Sequence, residues 1–267
     1  MIVMKYPPAK FIKLGIALGL SLLASSCLQH ESTIHLNKDG SGTIVEQTIL
    51  GQQMIAMMGQ LGGQDQADPI AEMFNEEKAK ANATKLGEGV EFVKTEIIND
   101  GGKKGARVHY KFADINKLSI NPAGGLESLN DGEEPNEADE KELVRFKYAG
   151  GTLSLIVPPT NFEEMNMDDA GGENAEMEAM AKQMMSDMSL SMKINLPGGI
   201  EKSNATYVDG NTITIMDVKV GKMFDQKAAM KKISETAKTD KPAALAEFKK
   251  LDGIKMETNE NVTISLK

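Results

Sequence analysis

The run His35-x-Asn37-x-Asp39-Gly40, with Glu46 at the twelfth position, has the spacing of a calcium loop. Such a loop works because alternate side-chain oxygens and a closing Glu surround a hard cation. Here an imidazole stands in the leading position, which removes an oxygen and a charge, and the flanking segments alternate as strands rather than helices. The run reads as a glycine-rich hairpin turn. Met54, Met57 and Met58, together with Met177, Met180, Met184, Met185, Met188 and Met192, could offer thioether sulfur to Cu(I). Methionine is also a flexible core filler, and Met177, Met180, Met184 and Met188 recur at the spacing of a one-sided helical stripe. That stripe is expected either to pack on a sheet or to line an apolar ligand cleft. The acids Glu133, Glu134, Glu137, Asp139 and Glu140, and Glu163, Glu164, Asp168 and Asp169, read as solvated charge runs. No metal and no cofactor is expected.

Catalytic constellations are equally thin. Ser41 lacks the Gly-x-Ser-x-Gly elbow that exposes a serine nucleophile, and no His is placed by any motif to activate it. Nothing fixes two carboxylates on a shared rigid frame for glycoside hydrolysis, and with no Trp a common sugar-stacking surface is missing. His109 falls within a strand pattern, where an imidazole more often packs or faces solvent. The chain is expected not to be an enzyme.

Composition narrows the classes further. The 267 residues carry 30 Lys plus Arg against 39 Asp plus Glu, a formal net charge of -9. A field of that sign repels phosphate backbones, so nucleic acid is not an expected partner. One Cys cannot close an intrachain disulfide or build a Cys-based zinc site, and three His leave little for a His-rich cage.

The single Cys has a distinctive setting. Lys5, Lys10 and Lys13 precede the apolar run Leu14 to Ala24, and the small residues Ala24, Ser25 and Ser26 lead directly to Cys27. A basic segment, a short apolar core and small residues together form a secretory signal over residues 1–26. The apolar run is about half the roughly twenty residues a membrane-spanning helix needs. This stretch resembles the bacterial lipobox, and the resemblance implies that Cys27 becomes the lipidated, palmitate-bearing first residue of the mature chain. The other readings are an ordinary secretory signal cut near Ser26 and a retained hydrophobic anchor. Cleavage before Cys27 removes three Lys and no acid, which takes the net charge from -9 to -12. Leu28 after the cysteine, rather than Asp, resembles the outer-membrane sorting pattern of enterobacterial lipoproteins. The Asn-x-Ser/Thr matches at Asn82, Asn204 and Asn261 read as chance.

The elements behind these residues follow from periodicity. Ser32 to Leu50 alternates around Asp39-Gly40-Ser41-Gly42 and predicts a β-hairpin. Helical spacing follows from Gly51 and again from about Pro69 to Leu86. Glu91 to Asn99 and Ala106 to Phe112 predict a second hairpin, and Leu143 to Tyr148 with Thr152 to Val157 a third. Acidic loops are expected near 119–142 and 158–176, where Gly, Pro and charge outnumber apolar residues. A helix to about Met188, a strand from Leu190 to Leu196 and a hairpin about Asp209-Gly210-Asn211 come next. Helices from about Lys222 to Lys238 and Pro242 to Leu251, then strands Ile254 to Glu257 and Val262 to Leu266, complete the chain, and no closing hydrophobic anchor is expected. The class is α+β, with antiparallel hairpins forming a sheet on which helical insertions pack, and residues 27–267 forming one extracytoplasmic domain.

Two turn-rich stretches carry a second resemblance: Ile34 to Gly42, and Met192 to Ile200 with Asn204 and the Asp209-Gly210-Asn211 turn. They resemble the LppM-domain lipoproteins. In that family a hairpin at the mature N-terminus and a Leu-Pro-Gly strand end belong to an α+β domain, and phosphatidylinositol-mannoside binding has been associated with mycobacterial members. No family residue carries over as a binding site. The expectation is a membrane-anchored lipoprotein of the bacterial cell envelope, exported to the periplasm and held through Cys27 on the extracytoplasmic side, in the outer membrane. Its domain is expected to be a non-catalytic binding or structural module for envelope proteins or lipids. The alternative is a carrier of lipid or another hydrophobic ligand in a Met-lined cleft.

Overall fold

The computed structural model describes residues 28–61, 69–124, 142–162, 179, 182 and 185–267. The signal segment with Cys27, most of both acidic loops, and Met177, Met180 and Met184 lie outside the described residues.

The first hairpin forms as its alternation requires. β1 (Leu28–Leu36) and β2 (Gly42–Leu50) pair antiparallel over their full length. The turn between them is closed locally: Asn37 N–H donates to Ser41 O at 2.8 Å, and Asp39 Oδ1 accepts from Ser41 N–H at 3.0 Å and Ser41 Oγ at 2.6 Å. Gly40 takes φ 89°, a left-handed conformation that a side chain would strain. α1 (Gln52–Leu61) follows, then α2 (Pro69–Met73) and α3 (Glu76–Leu86). The helical stretch expected over 69–86 is thus two helices. Asn75 divides them, because its Oδ1 accepts from Lys78 N–H at 2.8 Å and starts a new helix. α3 buries Ala79, Ala83 and Leu86, and its two alanines let the backbone lie close against the strands.

β3 (Glu91–Asp100) and β4 (Lys103–Phe112) form the second hairpin. A 3-10 turn (Ile115–Lys117) leads to β5 (Ser119–Ile120), and β6 (Val144–Ala149) with β7 (Thr152–Ile156) form the third hairpin. β8 (Ser189–Asn195), β9 (Ile200–Ser203), β10 (Val208–Asp209) and β11 (Thr212–Lys219) come next. The helical run expected over 222–238 breaks at Gln226 into α4 (Val220–Asp225) and α5 (Lys227–Ala237), before α6 (Lys241–Phe248). β12 (Ile254–Met256) and β13 (Asn261–Leu266) complete the described chain.

The fold is α+β, with two sheets where the sequence pattern led to one. The larger sheet runs β10-β11-β8-β1-β2-β4-β3, with β12 also paired to β11, and the smaller runs β5-β6-β7-β13-β9. Neighbouring strands are antiparallel except β1 and β8, which are parallel. The last two strands separate: β12 joins the larger sheet and β13 the smaller.

One core cluster draws on both sheets. It includes Ile34, Ile44, Tyr110, Met192 and Ile194 from the larger sheet, Phe146, Leu153, Leu155, Val262 and Ile264 from the smaller, and Met230, Ile233 and Phe248 from α5 and α6. The sheets are also joined at the first turn, where Tyr148 Oη donates to Lys38 O at 2.8 Å. Among the described residues no helix is long and apolar enough to cross a membrane.

Candidate functional site: a buried polar band and two clefts

Strand alternation places Leu28, His30, Ser32, Ile34 and Leu36 on the buried face of β1. On β2 the matching face carries Ile44, Glu46, Thr48 and Leu50, with His30 opposite Thr48 and Ser32 opposite Glu46. Two adjacent rungs of the ladder are therefore polar, between apolar rungs on either side. Leu28 and Leu50 belong to a small cluster with Ile70, whereas Ile34 and Ile44 belong to the main core. The polar band divides the two.

Each polar group has its own environment. His30 Nδ1 lies 2.9 Å from Thr48 Oγ1, and burial lowers the imidazole to about 4 against an upward pull from Glu31. It is neutral at pH 7. Glu46 retains part of its residue surface, yet burial pushes its carboxyl up to about 7 against a downward pull from Asn82. Asn82 Nδ2 on α3 donates to Glu46 Oε2 at 2.8 Å and to Tyr110 Oη at 3.2 Å. Burial, and secondarily the nearby Glu46 charge, raises the Tyr110 phenol above its usual range. Ser32 Oγ is buried without a hydrogen-bond partner among the described residues.

Serine, histidine and glutamate thus share one face, but not in a relay. His30 is bonded to Thr48, and Glu46 to Asn82. Glu46 also settles the calcium-loop spacing: its carboxyl is held by α3, and Asp39 serves the turn instead. Asn82 is a buried-face ligand of Glu46 rather than a free surface amide. Asn204 Oδ1 accepts from Thr263 N–H at 2.7 Å, which ties the segment after β9 to β13.

A first cleft of about 540 Å³ opens where the sheets meet. Its apolar walls are Pro122, Ala123, Val157 to Pro159, Ile215, Met216 and Met256, and Asn121, Glu142, Asn161 and Glu257 add polar groups. Glu257 is buried and fully engaged. Its oxygens accept from Thr206 N–H at 2.6 Å, Thr206 Oγ1 at 2.8 Å, Thr258 N–H at 2.9 Å and Asn259 N–H at 2.8 Å. Periodicity gave no sign of this carboxylate, because an acid beside Thr258 and Asn259 looks like ordinary loop composition.

A second cleft, about 430 Å³, lies at the end of the larger sheet where β1 begins. Met188 lines it and is half-buried, packing against both apolar clusters. Of the expected Met stripe, Met188 alone falls among the described residues. Its carbonyl accepts from Val220 N–H at 2.9 Å, so it joins β8 to α4. Ala179, Lys182 and Met185 are helical, in keeping with the helix expected there.

No family model and no curated protein matches the chain. Among solved structures, a neighbour is the NMR structure of the folded domain of Mycobacterium tuberculosis LppM, with a TM-score of 0.31 and 8% identity. The match covers 74% of this chain and 85% of that one. A superposition at that TM-score carries no argument about function.

Proposed function

We propose that the chain is a lipoprotein of the bacterial cell envelope, acylated at Cys27, whose domain is a non-catalytic binding module for an apolar or amphipathic ligand. The placement proposed is the extracytoplasmic side of the outer membrane, from the signal pattern and from Leu28 after the cysteine. The observation that carries the binding reading is the cleft between the sheets. Its volume falls within the range of small-molecule sites, roughly 300–1,000 Å³, and its walls are mainly apolar with a few polar groups. Met216 and Met256 can adjust rotamers to an irregular ligand.

The buried carboxyls support a non-catalytic reading. Glu257 spends its oxygens on four internal donors, and Glu46 is bonded to the helix that covers it. Neither is poised against a nucleophile. Acylation supports stable anchoring, because each buried methylene contributes about 0.8 kcal/mol and the lipobox pattern implies several chains.

Native mass spectrometry of the mature protein, extracted with detergent from a lipoprotein-competent bacterium, tests both parts. The expected result is an acylated N-terminal Cys27 and a bound small molecule that Met256→Trp displaces. An unacylated chain overturns the anchor. A ligand-free chain that takes up no fatty acid or phospholipid overturns the binding module.

A further inference from the structure

The second cleft has a different chemistry from the first. Lys103, Lys182, Lys219 and Lys222 line it against only Asp187 and Asp225, in a chain whose net charge is -9. Lys182 pairs with Asp225 at 2.8 Å, and Lys222 pairs with Asp252 at 2.9 Å. Lys103 and Lys219 make no ion pair among the described residues, although the Lys219 charge is felt at Asp252. The wall is closely packed backbone: a Cβ on Gly221 would sit 2.0 Å from Ser186 O.

Register fixes where this cleft lies. Gln29 lines it and pairs with Ser189, and Ser189 pairs with Lys219. Leu28 pairs with Leu50, Leu50 with Lys104, and Lys103 opens the same end of β4. Gln29 is two residues from Cys27, and two residues of extended chain span at most about 7 Å. The cleft is therefore within two residues of chain of the residue that would carry the acyl chains.

We propose that this cleft docks the phosphate of an anionic phospholipid headgroup, in the leaflet that receives the acyl chains of Cys27. The proposal rests on the acylation reading above. An acylated Cys27 lies at the membrane interface, which leaves the cleft within the headgroup layer, and its unpaired lysines complement the charge found there. The remainder of the acidic domain is repelled from the same surface. Together these orient the domain with the β1 end of the larger sheet toward the bilayer.

Site-resolved lysine acetylation of the mature chain tests this in vesicles of phosphatidylcholine alone or with phosphatidylglycerol. Each lysine near an anionic leaflet contributes about fivefold in binding, so Lys103 and Lys219 are expected to label about fivefold more slowly with phosphatidylglycerol. Lys147 and Lys202 of the smaller sheet are expected to label equally in both. Equal rates at Lys103 and Lys219 in the two vesicles, or the same slowing at all four lysines, would overturn the proposal. So would equal protection by inorganic phosphate without vesicles, which would make the ligand a soluble anion. The N-terminal peptide of the same digest reads acylation separately. If Cys27 carries no acyl mass, the anchor reading fails, and labelling of the chain mixed with the same vesicles still decides the cleft by the same criteria.

Discussion

Asn82 Nδ2 donates to Glu46 Oε2 across 2.8 Å, so a side chain on α3 closes over a carboxyl on β2. A carboxyl in that position resists ionisation. Its value near 7, against 4.5 for the free group, means the folded state holds a proton that the unfolded chain has already released. Stability conferred by the neutral form is complete below about pH 4.5 and is lost as pH rises through 7. The full loss is about 3 kcal/mol. Glu46→Gln keeps the acceptor and cannot ionise, so its stability relative to the parent is expected to rise by about 2–3 kcal/mol between pH 5 and pH 8. Urea denaturation of both proteins at pH 5 and pH 8 measures this, and parallel pH dependences would refute it.

His30 titrates in the opposite sense. Its folded value near 4 lies below the free value of 6.5, so stability is present above pH 6.5 and is lost as the pH falls through 4. With Glu46 eroding stability from the other side, the parent should be most stable near pH 5 to 6. Replacing Thr48 by Val removes the partner 2.9 Å from Nδ1 and should cost about 1–2 kcal/mol at pH 7. An imidazole proton shift that titrates near 6.5 in the folded protein would show that the ring is solvated instead.

Glu257 should behave as a structural carboxylate. Glu257→Gln replaces an oxygen that accepts from Thr206 and from the 257–259 turn with an amide that repels those donors. The expected cost is about 2–3 kcal/mol, since hydrogen bonds to charged groups are the stronger ones. Thermal unfolding monitored by circular dichroism reads it. A variant as stable as the parent would mean that water replaces the lost acceptor.

Gly42 marks the start of β2 beneath a crowded neighbour. A Cβ there would lie 2.1 Å from His35 O and 2.5 Å from the Phe112 ring. The ring could rotate, but the carbonyl belongs to the ladder. Gly42→Ala is therefore expected to destabilise by about 2 kcal/mol or more. By contrast, Gly150→Ala meets no atom within 4 Å and should lose only the cost of its φ of 57°. Equal losses in the two variants would count against steric contact as the cause.

Alternation and turn chemistry made the hairpins legible: Ile34 and Leu36 face inward, and Asp39, Gly40 and Ser41 close the turn. The split of the strands into two sheets was not legible, because pairing partners distant in sequence leave no local mark. Ile34 pairs with Ile194 by a parallel ladder that neither segment announces. Helix ends were read too long at Asn75 and Gln226 for a related reason. Apolar spacing continued across both, whereas a side-chain cap at Asn75 and a non-helical backbone at Gln226, φ -117° and ψ 19°, decided the boundary. At the site, the sequence marked Glu46 only as the last position of a calcium-loop spacing that reads as a hairpin turn, since spacing along the chain cannot say that a side chain 36 residues away will bond it. His30 and Ser32 were hidden by the expectation that buried strand positions are apolar.

The position of β1 bears on mechanical load. It lies inside the larger sheet, with nine residue pairs to β2 on one side and seven to β8 on the other. A pull applied at Leu28 along the strand acts on both ladders in shear, so the bonds resist together rather than opening one after another as they would in a peeled edge strand. Tension between an anchor and the body of the domain would therefore meet the sheet in its stiff direction.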